Sequence, residues 1–453
     1  MGPSVSEVYG IIAPHPPIML EAVGGKDSAR TAQTSSSLHF AAKALTRFDP
    51  EIIVVLSPHT PTIAGAISVD SSPKHVGSLR EFGAATISSS FRGNPAFAQE
   101  LLYRLDDRGI PAIDRVSVPS LYAGTLDHGV IVPMSILNPN SRWPIIPISA
   151  STLALENYLH LGAVLRMAAA SLNTRLAVVG SGDCSHKLTP DAPAGYSSRA
   201  AEFDRALITL ISANDYLGLS NLDSSLIDEA GQCGLRSFIA VGAASSPAYT
   251  RVLSYERPWG VGYLTAVINE QLAPLGDSVD FYPQAVFADP ITLARSAIRH
   301  FLFTGKMLEP KLYDVGDLPD RTGVFVSLHS EGRLRGCIGS IYPTCDNIAS
   351  EIAKSAVQAA TADCRFASVS ADELDTLTIK VDLIEQPQKC SISDLDPRKW
   401  GVIVSSGTKR GVLLPDLSHI ETPEQQLSIA KKKAGLSPDE PYTLERFNVV
   451  RYT

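Results

Sequence analysis

Three runs of aliphatic and β-branched residues each lead into a histidine: VYGIIAPH ends at His15, EIIVVLSPH at His59 and RLAVVGSGDCSH at His186. Runs that are apolar at nearly every position read as strands buried on both faces, the pattern of a parallel sheet covered by helices. In an open parallel sheet the loops beyond the strand carboxyl ends line a single crevice. The three histidines are therefore expected to meet at one site although they lie far apart in the chain. A lone buried histidine is more often a packed, hydrogen-bonded residue. Three in one register, two of them beside proline, favour a shared site.

Around these runs the first half alternates strand and helix patterns, as a βαβ architecture requires. Strands are predicted at 8–13, 51–57, 144–149 and 175–183. Helices are predicted at 35–48, 95–108, 152–172 and 196–212. The segment 222–244 reads as largely helical, and two β-rich pieces (249–256, 261–268) follow. A stretch rich in Gly, Ser and Pro at 60–94 carries no clear period. At 270–288 the pattern breaks into Pro and small polar residues, which marks a domain boundary. With 453 residues two cores are expected. We place an α/β domain at 1–272 and an α+β domain at 285–453. The second has helices at 289–304, 347–360 and 423–434, strands at 323–329 and 378–386, and a hairpin-like pair at 401–405 and 411–414.

The formal net charge of −8 and the lack of a basic stripe disfavour nucleic acid and anionic membranes as partners. No apolar stretch reaches the ~20 residues that span a bilayer. The first residues lack the form of an export signal or of a myristoylation site, so a cytoplasmic protein is expected. The six cysteines have no structural-zinc spacing and read as reduced thiols.

Two further side chains invite attention. His128, in LYAGTLDHGVIVPM, stands in a loop before an apolar helical run. Glu229, in LIDEAGQCGLRSF, is an acid among small and apolar residues, where a carboxylate needs a cation or strong donors. The bland alternative for Glu229 is a helix-end acid paired with Arg236.

The series His15 (APHPP), His59 (SPHTP), His128 (LDHG), His186 (CSH) and Glu229 (DEAG) resembles the active-site series of LigB-type class III extradiol dioxygenases over residues 5–268. The resemblance implies that His15, His59 and Glu229 hold a metal, Fe(II) first and Zn, Mn or another divalent ion as alternatives. The two-His, one-carboxylate triad leaves positions open for substrate and O₂. His186 would carry the substrate proton, His128 would orient a substrate hydroxyl, and Asp127 would fix the His128 ring. The stretch EAGQCGLRS also resembles Memo-like proteins, in which a cysteine joins the histidines. On one helix Glu229 and Cys233 would share a face, and a thiolate ligand would shift the chemistry away from O₂ activation.

Residues 285–453 resemble the AMMECR family through GRLRGCIGS (332–340), ADCRFASVSADELDTLTIKV (362–381) and WGVIVSSGTKRGVLLPDL (400–417). Arg335, Gly336, Cys337 and Gly339 are expected to form a glycine-punctuated turn, with Arg335 and Cys337 as a candidate site and Asp363, Cys364 and Arg365 near it. The alternative is a tight turn with a packed cysteine. Joined in one chain, Memo-like and AMMECR-like modules imply a radical-SAM partner. The expected substrate is a hydroxylated aromatic or enediol, with a homo-oligomer allowed. Three functions compete: an extradiol-type dioxygenase, an O₂-independent C–C lyase or hydrolase, and a metal-binding adaptor.

Overall fold

The computed structural model describes residues 8–453 except 247, 270–284, 313–317, 375, 418–419 and 438–439. Most of the break expected at 270–288 thus lies outside the described residues. The chain divides into two compact units, Met1–Ala288 and Asp289–Thr453. Among the described residues no helix is long and apolar enough to cross a membrane.

The first unit is built on an eight-stranded sheet. In chain order its strands are β1 (Val8–Ala13), β2 (Ile52–Ser57), β3 (Ile67–Val69), then, after a separate hairpin of β4 (Lys74–Leu79) and β5 (Ala84–Arg92), β6 (Ala112–Asp114), β7 (Ile145–Ser149), β8 (Leu176–Ser181), β9 (Thr250–Glu256) and β10 (Tyr263–Ile268). The spatial order is β6-β3-β7-β2-β8-β1-β10-β9. Strand β8 runs parallel to both β1 and β2, and β2 runs parallel to β7, so these four strands end at the same edge. Strands β9 and β10 add an antiparallel margin on the β1 side. Every residue of β1, β2, β7 and β8 is buried. That is the physical reason for their unbroken apolar character: helices cover both faces.

The hairpin β4–β5 is not legible in sequence, because KHVGSL and AATISSSFR carry serines, glycine and charge on a mostly exposed ribbon. The segment that leads into it is joined to the loop before His128 by a buried ion pair. Arg115 Nη1 lies 3.0 Å from Asp70 Oδ2, and both side chains are fully buried. The rest of the guanidinium donates to the carbonyls of Leu121 (2.8 Å) and Tyr122 (2.9 Å). Asp70 also accepts from Gly124 N at 2.8 Å. Burial works to raise the Asp70 carboxyl, but donors from His75, Ser72 and Gly124 outweigh it and hold the group well below the usual carboxylate range.

The segment 222–244 is not one helix. A helix over Ser224–Ala230 stops at Gly231, in the left-handed conformation (φ 62°), and a second begins at Leu235. Glycine takes that conformation without the steric cost a side chain would add.

The second unit holds two antiparallel four-stranded sheets. In the first, Arg333–Ser340 pairs with Gly323–Ser330, which pairs with Thr378–Ile384, followed by Val449–Tyr452. Helices Pro290–Thr304 and Ile348–Thr361 pack on it. The second sheet runs Gln388–Lys389, Thr443–Phe447, Gly401–Ser406, Lys409–Leu413. The expected glycine-punctuated turn at 333–340 is instead a strand. The turn is at Glu331-Gly332, both with positive φ (49° and 77°), and the later glycines serve close packing: a Cβ on Gly336 would stand 2.2 Å from the Ala359 carbonyl.

Candidate metal centre

His15 lies two residues beyond β1 and His59 two beyond β2, and the parallel register places the two imidazoles side by side: Nε2 to Nε2 is 3.2 Å. The tautomer of His15 follows from its neighbours. Ser181, the last residue of β8, donates its hydroxyl proton to the Gly129 carbonyl, which can only accept. Ser181 Oγ is therefore the acceptor for His15 Nδ1 at 2.8 Å, and the Nε2 lone pair points toward His59. A fixed Nδ1–H partner with a free Nε2 is the arrangement found behind metal-binding histidines.

His59 is placed by a second chain of contacts. Asp127 accepts from Ser57 Oγ and Thr60 Oγ1, each at 2.7 Å, and Ser57 Oγ in turn accepts from the His59 backbone N–H at 3.2 Å. Asp127 thus orders the β2–His59 loop through these hydroxyls, not the His128 ring as expected. His128 is the first residue of helix His128–Leu137, its ring centroid 4.1 Å from that of His59 and 5.0 Å from Phe82. Gly129 is required here: a Cβ would fall 2.3 Å from Ser57 Oγ and 2.9 Å from Asp127 Oδ1.

The third donor is sulfur. Cys233 Sγ stands 3.7 Å from His15 Nε2 and 3.8 Å from His186 Nε2. It arrives from the gap between the two helices, where Gly234 touches Gly182 so closely that a Cβ on Gly182 would lie 2.1 Å from Gly234 Cα. Asp183 fastens the contact, its carbonyl accepting from Gly234 N at 2.9 Å while its own N–H donates to Cys233 Sγ at 3.2 Å. The ligand atoms of His15, His59 and Cys233 all lie within 4.8 Å of one another, as do those of Asp183, His186 and Cys233.

Glu229, expected as the carboxylate ligand, joins neither group. Its carboxylate is 45% exposed, 3.3 Å from Arg199 Nη1, and accepts from Ser197 Oγ at 3.0 Å. The helix break at Gly231 is the reason: Glu229 and Cys233 no longer share a helical face, and only the sulfur turns inward. The bland alternative had the right kind of partner but the wrong arginine. The carboxylate at the centre is Asp183, which sequence reasoning passed over. Its Oδ1 accepts from His15 N at 3.2 Å, and its Oδ2 is 3.9 Å from His15 Nε2 and 3.7 Å from His186 Nε2. The signal was present in GSGDCSH, an acid directly beyond a buried strand.

Burial lowers the His15 imidazole below its ordinary value, and lowers those of His59 and His128 likewise, with each neighbouring ring adding to the effect. Neutral imidazoles with available lone pairs suit a cation. Burial works to raise Asp183, yet His15 and His186 hold it below the usual carboxylate range. Burial, and then the charge of Asp183, pushes the Cys233 thiol far up. Without a cation the sulfur is protonated at neutral pH. With two neutral nitrogens, a buried sulfur and a carboxylate in reach, the donor set fits a divalent transition metal.

The profile described as "Catalytic LigB subunit of aromatic ring-opening dioxygenase" matches residues 9–265. The chain belongs to the LigB family. The AMMECR1 profile matches residues 291–453, so the second unit is an AMMECR1 module. Protein CA_C1420 of Clostridium acetobutylicum is 32% identical over 97% of this chain and 98% of its own length, a match that runs through both units. A Thermotoga maritima protein is 46% identical over 34% of this chain and 91% of its own. Among solved structures, protein PH0010 of Pyrococcus horikoshii (30% identity) covers 36% of this chain and 88% of that one at a TM-score of 0.34. Protein JW3007 of Escherichia coli K12 (16% identity) covers 57% of this chain and 98% of that one at 0.41.

In the AMMECR1 unit the candidate pair Arg335 and Cys337 is engaged in holding the fold. Arg335 grips Glu373 through two bonds (2.6 and 3.1 Å) and donates to the Ala367 carbonyl at 2.8 Å. Cys337 N donates to Asp363 Oδ2 at 2.8 Å, and Arg365 binds Asp363 at 2.7 Å and the Cys337 carbonyl at 3.3 Å. The loop 363–373 is thereby stapled to the outer edge of strand Arg333–Ser340. Burial pushes the Cys337 thiol up, which keeps it from acting as a ready nucleophile.

Proposed function

We propose that the LigB unit is a non-haem metal-dependent enzyme of the extradiol dioxygenase type, acting on a small hydroxylated aromatic or an enediol. The observation that carries this reading is the meeting of His15, His59 and His186 beyond three neighbouring parallel strands, with His15 Nε2 freed by Ser181. His15, His59 and Cys233 would hold the ion, which when bound supplies Lewis-acid polarisation of a substrate hydroxyl. His186 Nε2 receives the hydroxyl proton, and Asp183 Oδ2, 3.7 Å away, stabilises the imidazolium that results. The His128 and Phe82 rings form an aromatic wall beside His59, suited to a flat substrate.

A second reading keeps the site and removes oxygen, with C–C cleavage or hydrolysis as the reaction. It is favoured by one feature, the sulfur of Cys233 where a carboxylate ligand was expected, because soft ligation changes which metal and which chemistry the site prefers. Turnover of a catechol and diketone panel, with and without O₂, separates the two. A ring-opened product formed only in air supports the first, and product formed equally under anaerobiosis supports the second. Failure of every substrate with metal bound would overturn both.

A further inference from the structure

Four donor atoms form a closed circuit at this centre. His15 Nε2 to Asp183 Oδ2 is 3.9 Å, Asp183 Oδ2 to His186 Nε2 is 3.7 Å, His186 Nε2 to Cys233 Sγ is 3.8 Å, and Cys233 Sγ to His15 Nε2 is 3.7 Å. The nitrogen–oxygen separations are too long for hydrogen bonds. The 3.7 Å from His186 to Asp183 and the 3.8 Å from His186 to Cys233 match the edges, roughly 3.3–3.8 Å, of a tetrahedron around an ion with bonds of about 2.0–2.3 Å, whereas the 3.9 Å between His15 and Asp183 is longer, so Asp183, His186 and Cys233 form a group of their own. His59, 3.2 Å from His15, stands outside this circuit and completes a separate triangle with His15 and Cys233.

We propose that the centre takes a second divalent ion, held by Asp183 Oδ2 and His186 Nε2, with the Cys233 thiolate shared between the two ions. This rests on His15, His59 and Cys233 binding the first. Two features suit Asp183 and His186 to the task. The Asp183 side chain is only 9% exposed, and its Oδ2 stands 3.7 Å from His186 Nε2, a distance one ion can span. His186 is partly open, at 27%, which gives an ion a way in from solvent. A sulfur with lone pairs in several directions can serve both sides, and the thiol proton is released once for the pair. Occupation of His186 Nε2 removes the proton acceptor of the proposed reaction, so the second ion is a brake. Excess metal would inhibit while the first equivalent activates.

The test is the number of zinc ions per full-length chain, read by native mass spectrometry during titration with Zn²⁺ alone. Wild type is expected to take two, Asp183→Asn and His186→Gln one each, and Glu229→Gln two. The amide oxygen introduced by Asp183→Asn would still accept from the His15 N–H, so the fold is spared. Cobalt titration gives a second readout: sulfur-to-metal absorption should grow over both equivalents and vanish in Cys233→Ser. Saturation of wild type at one ion, or two ions retained in both single variants, overturns the second site while leaving the first intact. Sulfur absorption that stops after the first equivalent overturns the shared thiolate. No zinc bound by wild type would overturn this proposal and the first site together.

Discussion

Ser181 accepts the Nδ1 proton of His15 at 2.8 Å and hands its own proton to the carbonyl of Gly129, so one hydroxyl sets which nitrogen of the ring is free. Removing the hydroxyl in Ser181→Ala unlocks the tautomer and the ring angle. Loss of such an outer partner typically lowers metal affinity by about 10–100-fold. Chelator competition should read that loss, with the folded far-ultraviolet signal unchanged. Affinity equal to wild type would remove Ser181 from the account.

Cys233 and Glu229 make opposite predictions. Cys233→Ala should release the metal from the first site or weaken it severely. Glu229→Gln should leave metal content as in wild type, because its carboxylate is occupied with Arg199 and Ser197. Elemental analysis after dialysis decides. A metal-free Glu229→Gln protein would restore the carboxylate ligand.

Metal binding should release a proton. The Cys233 thiol is held protonated by burial and by Asp183, whereas a thiolate is the form that ligates. Calorimetry in buffers of different ionisation enthalpy should show about one proton leaving with the first ion at neutral pH. The value should fall toward zero in Cys233→Ser.

Buried Asp70, with its donors from His75, Ser72 and Gly124, predicts an acid limb in stability. Asp70 has its carboxyl depressed in the folded chain, so it contributes stability above its unfolded value of about 3.9. That contribution fades as pH falls below about 4 and is lost as pH passes the depressed folded value. Urea unfolding between pH 7 and pH 3 should show the decline, and Asp70→Asn should flatten it. Arg115→Met should cost about 3–5 kcal/mol at pH 7, since it strands a buried carboxylate. A change within experimental error would mean that solvent reaches the pair.

Much of this was readable from the chain, for physical reasons that differ by element. Strands β1, β2 and β8 are buried on both faces, and burial writes itself into sequence as an unbroken apolar run. The histidines beyond them were legible because parallel strands end together. The hairpin β4–β5 was not, since an exposed ribbon constrains its side chains weakly. Nor was the helix break at Gly231, because the apolar helical pattern resumes at Leu235 and hides the short GQCG interruption between two helices. That single break separates Glu229 from the histidines it was expected to join. Ser181 was hidden for another reason: its role is a contact with His15 across 166 residues, which local pattern does not register. In the AMMECR1 unit the glycines of LRGCIG mimic a turn in sequence, while in space they admit a helix and a neighbouring strand.

The meeting of Gly182 with Gly234 has a consequence for how such a centre can change over time. Neither glycine donates anything to an ion, yet the smallest methyl at position 182 would push the sulfur-bearing segment away from the imidazoles. Lineages carrying every ligand could thus lose the cation through a residue that no comparison of ligand positions would flag. Conversely, a replacement of Gly231 that let the helix continue past Ala230 would bring a carboxylate and a sulfur, four residues apart, onto one stripe. The donor chemistry of the centre is hostage to backbone shape at two spots that hold no chemistry of their own.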